Sequence, residues 1–299
     1  MKRRLFTLAI IFLSFGYVHS QTKYVTTIHP FQEILKNIIG ARGEVHCILP
    51  PGASPHTYEL RPSDIQQVTD AKALFFGSEN LDIWALKFKK TYHIELIKLV
   101  AEDSLIYFEE EPTDHHDQAG EDKKTHHHHA LGIDPHFWTD PLTVKTMLPT
   151  LAKKLCALDP EGCEIFRQNS KEIFNQLDGL HSKIEKMLKP VLNSKVMISH
   201  PFFQYFFKRY GIELVGIIET SPGREPTPKE IKGLIDQIKH ENVKAIFSHI
   251  QLPDRAAKII AESTGIKVYQ LDPIGGVHGR ESYDELLLYN ANIILETLR

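Results

Sequence analysis

A chain of 299 residues is long enough for two domains of ordinary size, each with its own core. Its 42% hydrophobic and 24% charged content is that of a globular protein, and a formal net charge of -3 excludes the basic face that nucleic-acid phosphates require. Histidine is the outlier: there are 17, six of them between His115 and His129.

Residues 1–20 read as a secretory signal: Met1-Lys2-Arg3-Arg4, an apolar run from Leu5 to about Val18, then His19-Ser20 before Gln21. No later apolar stretch reaches the roughly 18 residues of a spanning helix. With no cysteine at the cleavage point a lipid anchor is not expected, and the mature protein belongs in the periplasm. The cysteines are Cys47, Cys156 and Cys163. Three are too few for a disulfide scaffold, and at least one thiol stays free. Cys156 and Cys163 can bridge locally in an oxidising compartment, but their spacing does not give the Cα separation that decides it.

Residues 23–28 form a short β-rich run, followed by helical spacing over 31–39 that ends at Gly40. A second strand over 45–49 runs into Pro50-Pro51-Gly52-Ala53-Ser54-Pro55-His56, too rich in proline and glycine for helix or ladder. A helix starting at Ser63 or Asp64, a strand over 73–77 and a helix over 81–90 follow. Residues 109–129 break the pattern with seven carboxylates, two lysines, six histidines and almost nothing apolar. Such a segment cannot bury enough surface to offset its ordering entropy, so disorder is expected there.

Beyond it stands DPHFWTDP, in which Asp140 is an N-cap and Pro141 the first residue of a helix running to about Leu158. The longest helical pattern runs from Glu161 to about Leu188, with apolar residues at Ile165, Ile173, Leu177, Leu180, Ile184 and Leu188. Strands over 195–199, 212–218, 243–248 and 266–271 then alternate with helices over 201–210, 227–240, 254–264 and from Ser282 onward. Thr227…Glu230 and Ser282…Glu285 have capping-box spacing. This alternation predicts an α/β fold of two βαβ lobes, mainly parallel sheets flanked by helices, joined by one long rigid connector helix. The expected division is an N-terminal lobe over 21–158 carrying the loop 109–129, the connector over 159–190 and a C-terminal lobe over 191–299. No internal sequence repeat accompanies the two similar halves.

In open α/β sheets ligands bind beyond the carboxyl ends of the strands. The metal-capable side chains at such places are His56, His200 and Asp272, with His136 in the proline-bounded segment before the helix at Pro141. Three imidazoles and a carboxylate suit tetrahedral zinc, in the cleft between the lobes. Asp272 has a rival role, holding a histidine by a hydrogen bond while water takes the fourth position. His29, His46, His181, His240, His249 and His278 are read as surface or structural residues, although His249 and His278 follow strands of the second lobe, which can place them near the cleft.

The blocks PPGASPHTYELRPSD, DPHFWTDP, SHPFFQYF, EPTPKEI, VKAIFSH and VYQLDPIGG, in this order along nearly the whole mature chain, resemble those of the ZnuA-like branch of the TroA superfamily. That resemblance implies an extracytoplasmic protein that captures a divalent metal, Zn2+ ahead of Mn2+ or Fe2+, and delivers it as a monomer to an ABC importer permease. It carries the ligand role onto His56, His136, His200 and Asp272. Manganese-carrying relatives tend to have glutamate where this chain has His200, so the extra nitrogen donor favours zinc. The loop resembles the histidine-rich loop of zinc carriers, which makes His115, His116, His126, His127, His128 and His129 candidates for loose metal capture. The chain departs from the family at Pro55 and at His249, positions where relatives often have glutamate.

An open catalytic zinc also uses three histidines and water, so a zinc hydrolase is the alternative from another class. The chain has neither H-E-x-x-H nor G-x-S-x-G, and the carboxylate closest in sequence to His56, Glu59, lies three residues beyond it. No enzymatic activity is expected. A surface-interaction module using metal for structure is a third reading, and it predicts unfolding on chelation.

Overall fold

The computed structural model describes residues 22–108, 132–219 and 224–299. The proposed signal segment and all six loop histidines lie outside the described residues.

Strands β1 (Thr22–Thr26), β2 (Gly43–Cys47), β3 (Ala73–Phe76) and β4 (His93–Glu95) form a parallel sheet in the order β2-β1-β3-β4. Strands β5 (Lys195–Ile198), β6 (Glu213–Ile217), β7 (Ala245–His249) and β8 (Val268–Leu271) repeat that order as β6-β5-β7-β8, again all parallel. Central strands of such sheets are apolar throughout because helices cover both faces. In β3, Ala73 and Phe75 enter one core with Tyr24 and Phe31, while Leu74 and Phe76 enter another with Val25, Val68 and Trp84.

Helix α1 (His29–Ile39) follows β1, and α2 (Pro62–Thr69) begins at Pro62, one or two residues earlier than expected, with Arg61 as its N-cap. The helix expected over 81–90 is instead one turn, α3 (Glu79–Asp82), continuing as a 3-10 segment over Ile83–Lys87. The Asp82 carboxylate accepts from the amides of Gly77 and Ser78, which ties this turn back to the end of β3. The short strand β4 has no counterpart in the sequence reading. Three residues between polar turns offer too little alternation to register.

Helix α4 (Pro141–Leu158) starts where expected, with the Asp140 side chain accepting from the Leu142 amide at 3.0 Å. Helix α5 (Cys163–Leu188) has 26 residues and spans about 39 Å at about 1.5 Å per residue. Its buried face is Phe166, Ser170, Ile173, Leu177, Leu180, Ile184 and Leu188. Ile165, expected on that stripe, is 42% exposed, and Phe166 takes the place. The helix packs on α1 and α4 from the first lobe and on α9 (Tyr283–Leu298) from the second, so the connector lies inside one continuous apolar cluster. A disulfide joins Cys156 to Cys163 across the α4–α5 turn, with a Cα separation of 4.4 Å. Cys47 is free, and burial pushes its thiol up to about 12.

The second lobe is completed by α6 (Gln204–Arg209), α7 (Pro228–Glu241) and α8 (Arg255–Thr264). Both expected capping boxes form, at Thr227 with Glu230 and at Ser282 with Glu285. No helix among the described residues is long and apolar enough to cross a membrane.

Candidate metal centre

Each sheet has a switch point where successive crossovers leave in opposite directions, between β1 and β3 in one lobe and between β5 and β7 in the other. Side chains beyond the carboxyl ends of these strands converge in the cleft. His56 lies in the loop after β2. That loop is held by the Trp84 indole, which donates to the Pro55 carbonyl at 2.8 Å, and by the Tyr58 hydroxyl, which donates to Asp64 at 2.9 Å. His136 precedes a 3-10 turn over Phe137–Thr139, where Phe137 and Trp138 are fully buried. His200 stands two residues beyond the end of β5, and the intervening Ser199 amide donates to the Phe247 carbonyl of β7.

Among the described residues, one group of three or more metal-capable side chains converges: His56, His136 and His200, whose ligand atoms all lie within 4.8 Å of one another. The His56 Nε2 is 3.1 Å from that of His136 and 3.3 Å from that of His200. Donors sharing one tetrahedral zinc at bonds of about 2.0–2.1 Å stand roughly 3.3–3.4 Å apart. Three nitrogens aimed at one point in a nearly dry cleft therefore have the spacing a single divalent cation requires.

Asp272 is not in this group. Its Oδ1 accepts from Gln251 at 2.6 Å and from the amides of Ile274 and Gly275 at 3.0 and 3.1 Å, and its Oδ2 lies 3.0 Å from the charged Arg280 without a hydrogen bond among the described residues. Positive φ at Gly275 and Gly276 permits the tight loop that brings those amides round, and a Cβ on Gly276 would meet the ring of His29. The structure does not bring Asp272, expected as a fourth ligand, into the converging group.

Asp134, which the sequence reading passed over, matters more. Its Oδ1 faces His136 Nδ1 at 2.7 Å and accepts from the His136 amide at 3.0 Å, and its Oδ2 accepts from Gln204 at 3.0 Å. A carboxylate on Nδ1 fixes the tautomer that leaves the Nε2 lone pair free for metal. The signal available in the sequence was an aspartate two residues before a histidine inside a proline-bounded turn. Asp134→Asn is expected to weaken metal binding about 10- to 100-fold, the usual cost of losing such a partner, while the apo fold persists. Isothermal titration of both proteins with zinc checks it.

Burial, reinforced by the neighbouring His136 and His249, pushes His56 down from 6.5 to about 3. Burial and the same cluster hold His200 well below its ordinary value, and burial with His136 pushes His249 down to about 4. The folded site thus keeps these rings neutral, ready for metal, well below the ordinary histidine range. The unfolded chain, by contrast, takes up protons once pH drops below about 6.5. Bound protons then favour the unfolded state, so this contribution to stability is complete above about pH 6.5 and is lost as pH falls toward 3–4. The thermal midpoint of chelator-treated protein should decline through that window, and less so in a His56→Ala, His200→Ala double variant.

The segment that carries His136 belongs by chain order to the first lobe, yet it is fastened to the second. The Trp138 indole donates to the Pro273 carbonyl at 2.7 Å, Tyr283 donates to the Trp138 carbonyl at 2.6 Å, Tyr205 donates to the Asp134 carbonyl at 2.8 Å, and Arg209 pairs with Asp140 at 2.7 Å. Two α/β lobes held in this way around a buried imidazole cluster define a metal-binding protein with a rigid connector.

The chain belongs to the ZnuA family, described as the periplasmic component A of a zinc-uptake complex, whose model matches residues 25–297. The high-affinity zinc uptake system protein ZnuA of Bacillus subtilis is 28% identical over 279 residues, covering 92% of this chain and 86% of its own length. The manganese ABC transporter substrate-binding lipoprotein PsaA of Streptococcus pneumoniae is 29% identical over 291 residues, covering 92% and 89%. A ZnuA crystal structure superposes with a TM-score of 0.75 at 25% identity, covering 93% of this chain and all of the other. A zinc-bound ZnuA deletion mutant superposes at 0.74 with 26% identity, covering 93% and 98%. The protein is accordingly an extracytoplasmic metal-binding solute-binding protein of an ABC importer, a class that delivers metal to a membrane permease.

Proposed function

We propose that this chain is a periplasmic zinc carrier, exported by residues 1–20, that holds Zn2+ between its lobes through His56, His136 and His200. The observation that carries the reading is the convergence of three imidazole nitrogens, 3.1 and 3.3 Å apart, with no carboxylate among them. Nitrogen donors suit zinc, whereas manganese is better served by oxygen. The Cys156–Cys163 disulfide supports an oxidising compartment. The interlobe bonds support small closure on loading rather than a wide clamshell motion, and they let the carrier stay folded when empty. The role is carriage and not catalysis.

The test is a competition titration of zinc against manganese and iron. Wild type should prefer zinc, and His200→Glu should shift the preference toward manganese by at least tenfold as an oxygen donor enters. Equal preference in wild type would refute the zinc assignment. We further propose that His115, His116, His126, His127, His128 and His129 capture metal loosely. In the same titration, deletion of residues 109–129 should remove weak equivalents only, and loss of the tight equivalent would refute that division.

A further inference from the structure

Three imidazoles leave one position of a tetrahedral zinc to be filled. The cleft cavity encloses about 10 Å³, room for a single ion-sized sphere, and its lining includes His56, His136, His200, His249 and Gln251 but not Asp272. His249 is the last residue of β7, the strand paired with β5, so its side chain leaves the same switch point as His200. The two rings are 5.8 Å apart, and the His249 ring lies 4.6 Å from that of Phe202. His249 is 4% exposed, and its Nε2 has no hydrogen-bond partner among the described residues. An orphaned buried ring nitrogen is costly unless something supplies a partner.

The surrounding bonds prescribe which nitrogen is free. The Asp272 carboxylate, paired with Arg280, only accepts, so the amide of Gln251 at 2.6 Å must present its NH2 group there. The Gln251 Oε1 then faces His249 Nδ1 at 3.3 Å, and Nδ1 must carry the proton. His249 Nε2 is left as a bare lone pair, the form a metal ligand needs. Asp272 thus acts two residues removed from the metal, by aligning Gln251 and through it His249.

We propose that His249 is the fourth metal donor, so that the chain holds zinc with four imidazoles and no carboxylate. This deepens the zinc-carrier reading and rests on it. The His249 ligand atom lies outside the 4.8 Å cluster formed by the other three, so the ring must swing inward to reach the metal. An all-nitrogen shell would discriminate against manganese more strongly than the three-histidine, one-carboxylate shell that the resemblance implied.

X-ray absorption on the zinc-loaded full chain counts imidazoles by their multiple scattering. Four are expected in wild type, and three with an oxygen donor would overturn the proposal whatever any variant does. His249→Ala should drop the count to three and lower zinc affinity by at least about the 10- to 100-fold that loss of an outer partner already costs. His249→Gln, closer in volume, should do the same if the alanine variant fails to fold. Asp272→Asn should leave four imidazoles, and loss of an oxygen scatterer in that variant would overturn the proposal. Unchanged zinc affinity in both His249 variants, with His136→Ala still weakening zinc binding about 70- to 900-fold, would sink the fourth-donor role alone. Unchanged zinc affinity in His136→Ala would sink the carrier reading as well.

Discussion

Replacement of His136 by alanine is expected to reduce zinc affinity about 70- to 900-fold without unfolding the protein. Structural zinc sites bind with roughly 10–16 kcal/mol, so one donor of four is worth roughly 2.5–4 kcal/mol, which converts to that range. The fold should survive because the residue removed is a desolvated polar ring, and Asp134 would keep the amide of residue 136 and Gln204 as donors. The same change at His56, which is less buried than His136 and His200, should cost zinc affinity and leave stability still less affected. Titration calorimetry and chelator-treated thermal unfolding, run side by side, separate the two effects. A variant that lost its fold together with its metal would show that the metal serves structure.

The largest stability effect is expected at Trp138. Its indole is fully buried, packs edge-on to Phe31 with centroids 5.5 Å apart, and donates across the lobes to Pro273 at 2.7 Å. Trp138→Ala should cost about 3–5 kcal/mol for the lost packing and cavity, lowering the thermal midpoint by roughly ten degrees. Trp138→Phe refills most of the volume but leaves the Pro273 carbonyl without its donor, a cost of about 1–3 kcal/mol. Because the Trp138 ring also lies 5.4 Å from that of His136, both variants should weaken zinc binding, the alanine variant more. Denaturant unfolding and zinc titration check these together. Full zinc affinity in Trp138→Ala would show that the interlobe anchor does not position the ligand.

The rigidity that these interlobe bonds impose bears on release. With the small closure proposed above, the ion would leave through local rearrangement of its ligands. Two rings of the cluster are weakly held: His249 Nδ1 reaches only Gln251, at 3.3 Å, and His200 Nδ1 has no hydrogen-bond partner among the described residues. His136, clamped by Asp134, is the last expected to move.

Much of this molecule was legible as one-dimensional pattern. The parallel α/β class followed from the alternation of short apolar runs with helical spacing, and the starts of α4, α7 and α9 from Asp140, Thr227 and Ser282. These signals are local, since a cap or an apolar stripe acts within one or two turns of its own chain. His56, His136 and His200 were legible for the same reason, because each stands in a loop or turn after a strand or in a proline-bounded segment. What tertiary structure alone decided was which neighbour each polar group found. Asp272 stood in as promising a place as His200, yet Gln251 and two backbone amides occupy its Oδ1 and the charge of Arg280 lies against its Oδ2. Asp134 looks ordinary in sequence and His249 stands out only as a departure from the family pattern, yet one holds the Nδ1 of His136 while the other keeps a bare nitrogen at the cleft. Spacing along a chain determines where a side chain starts. Hydrogen-bond saturation, which depends on partners up to about a hundred and thirty residues away such as Trp138 and Pro273, determines whether its donor atoms remain free for metal.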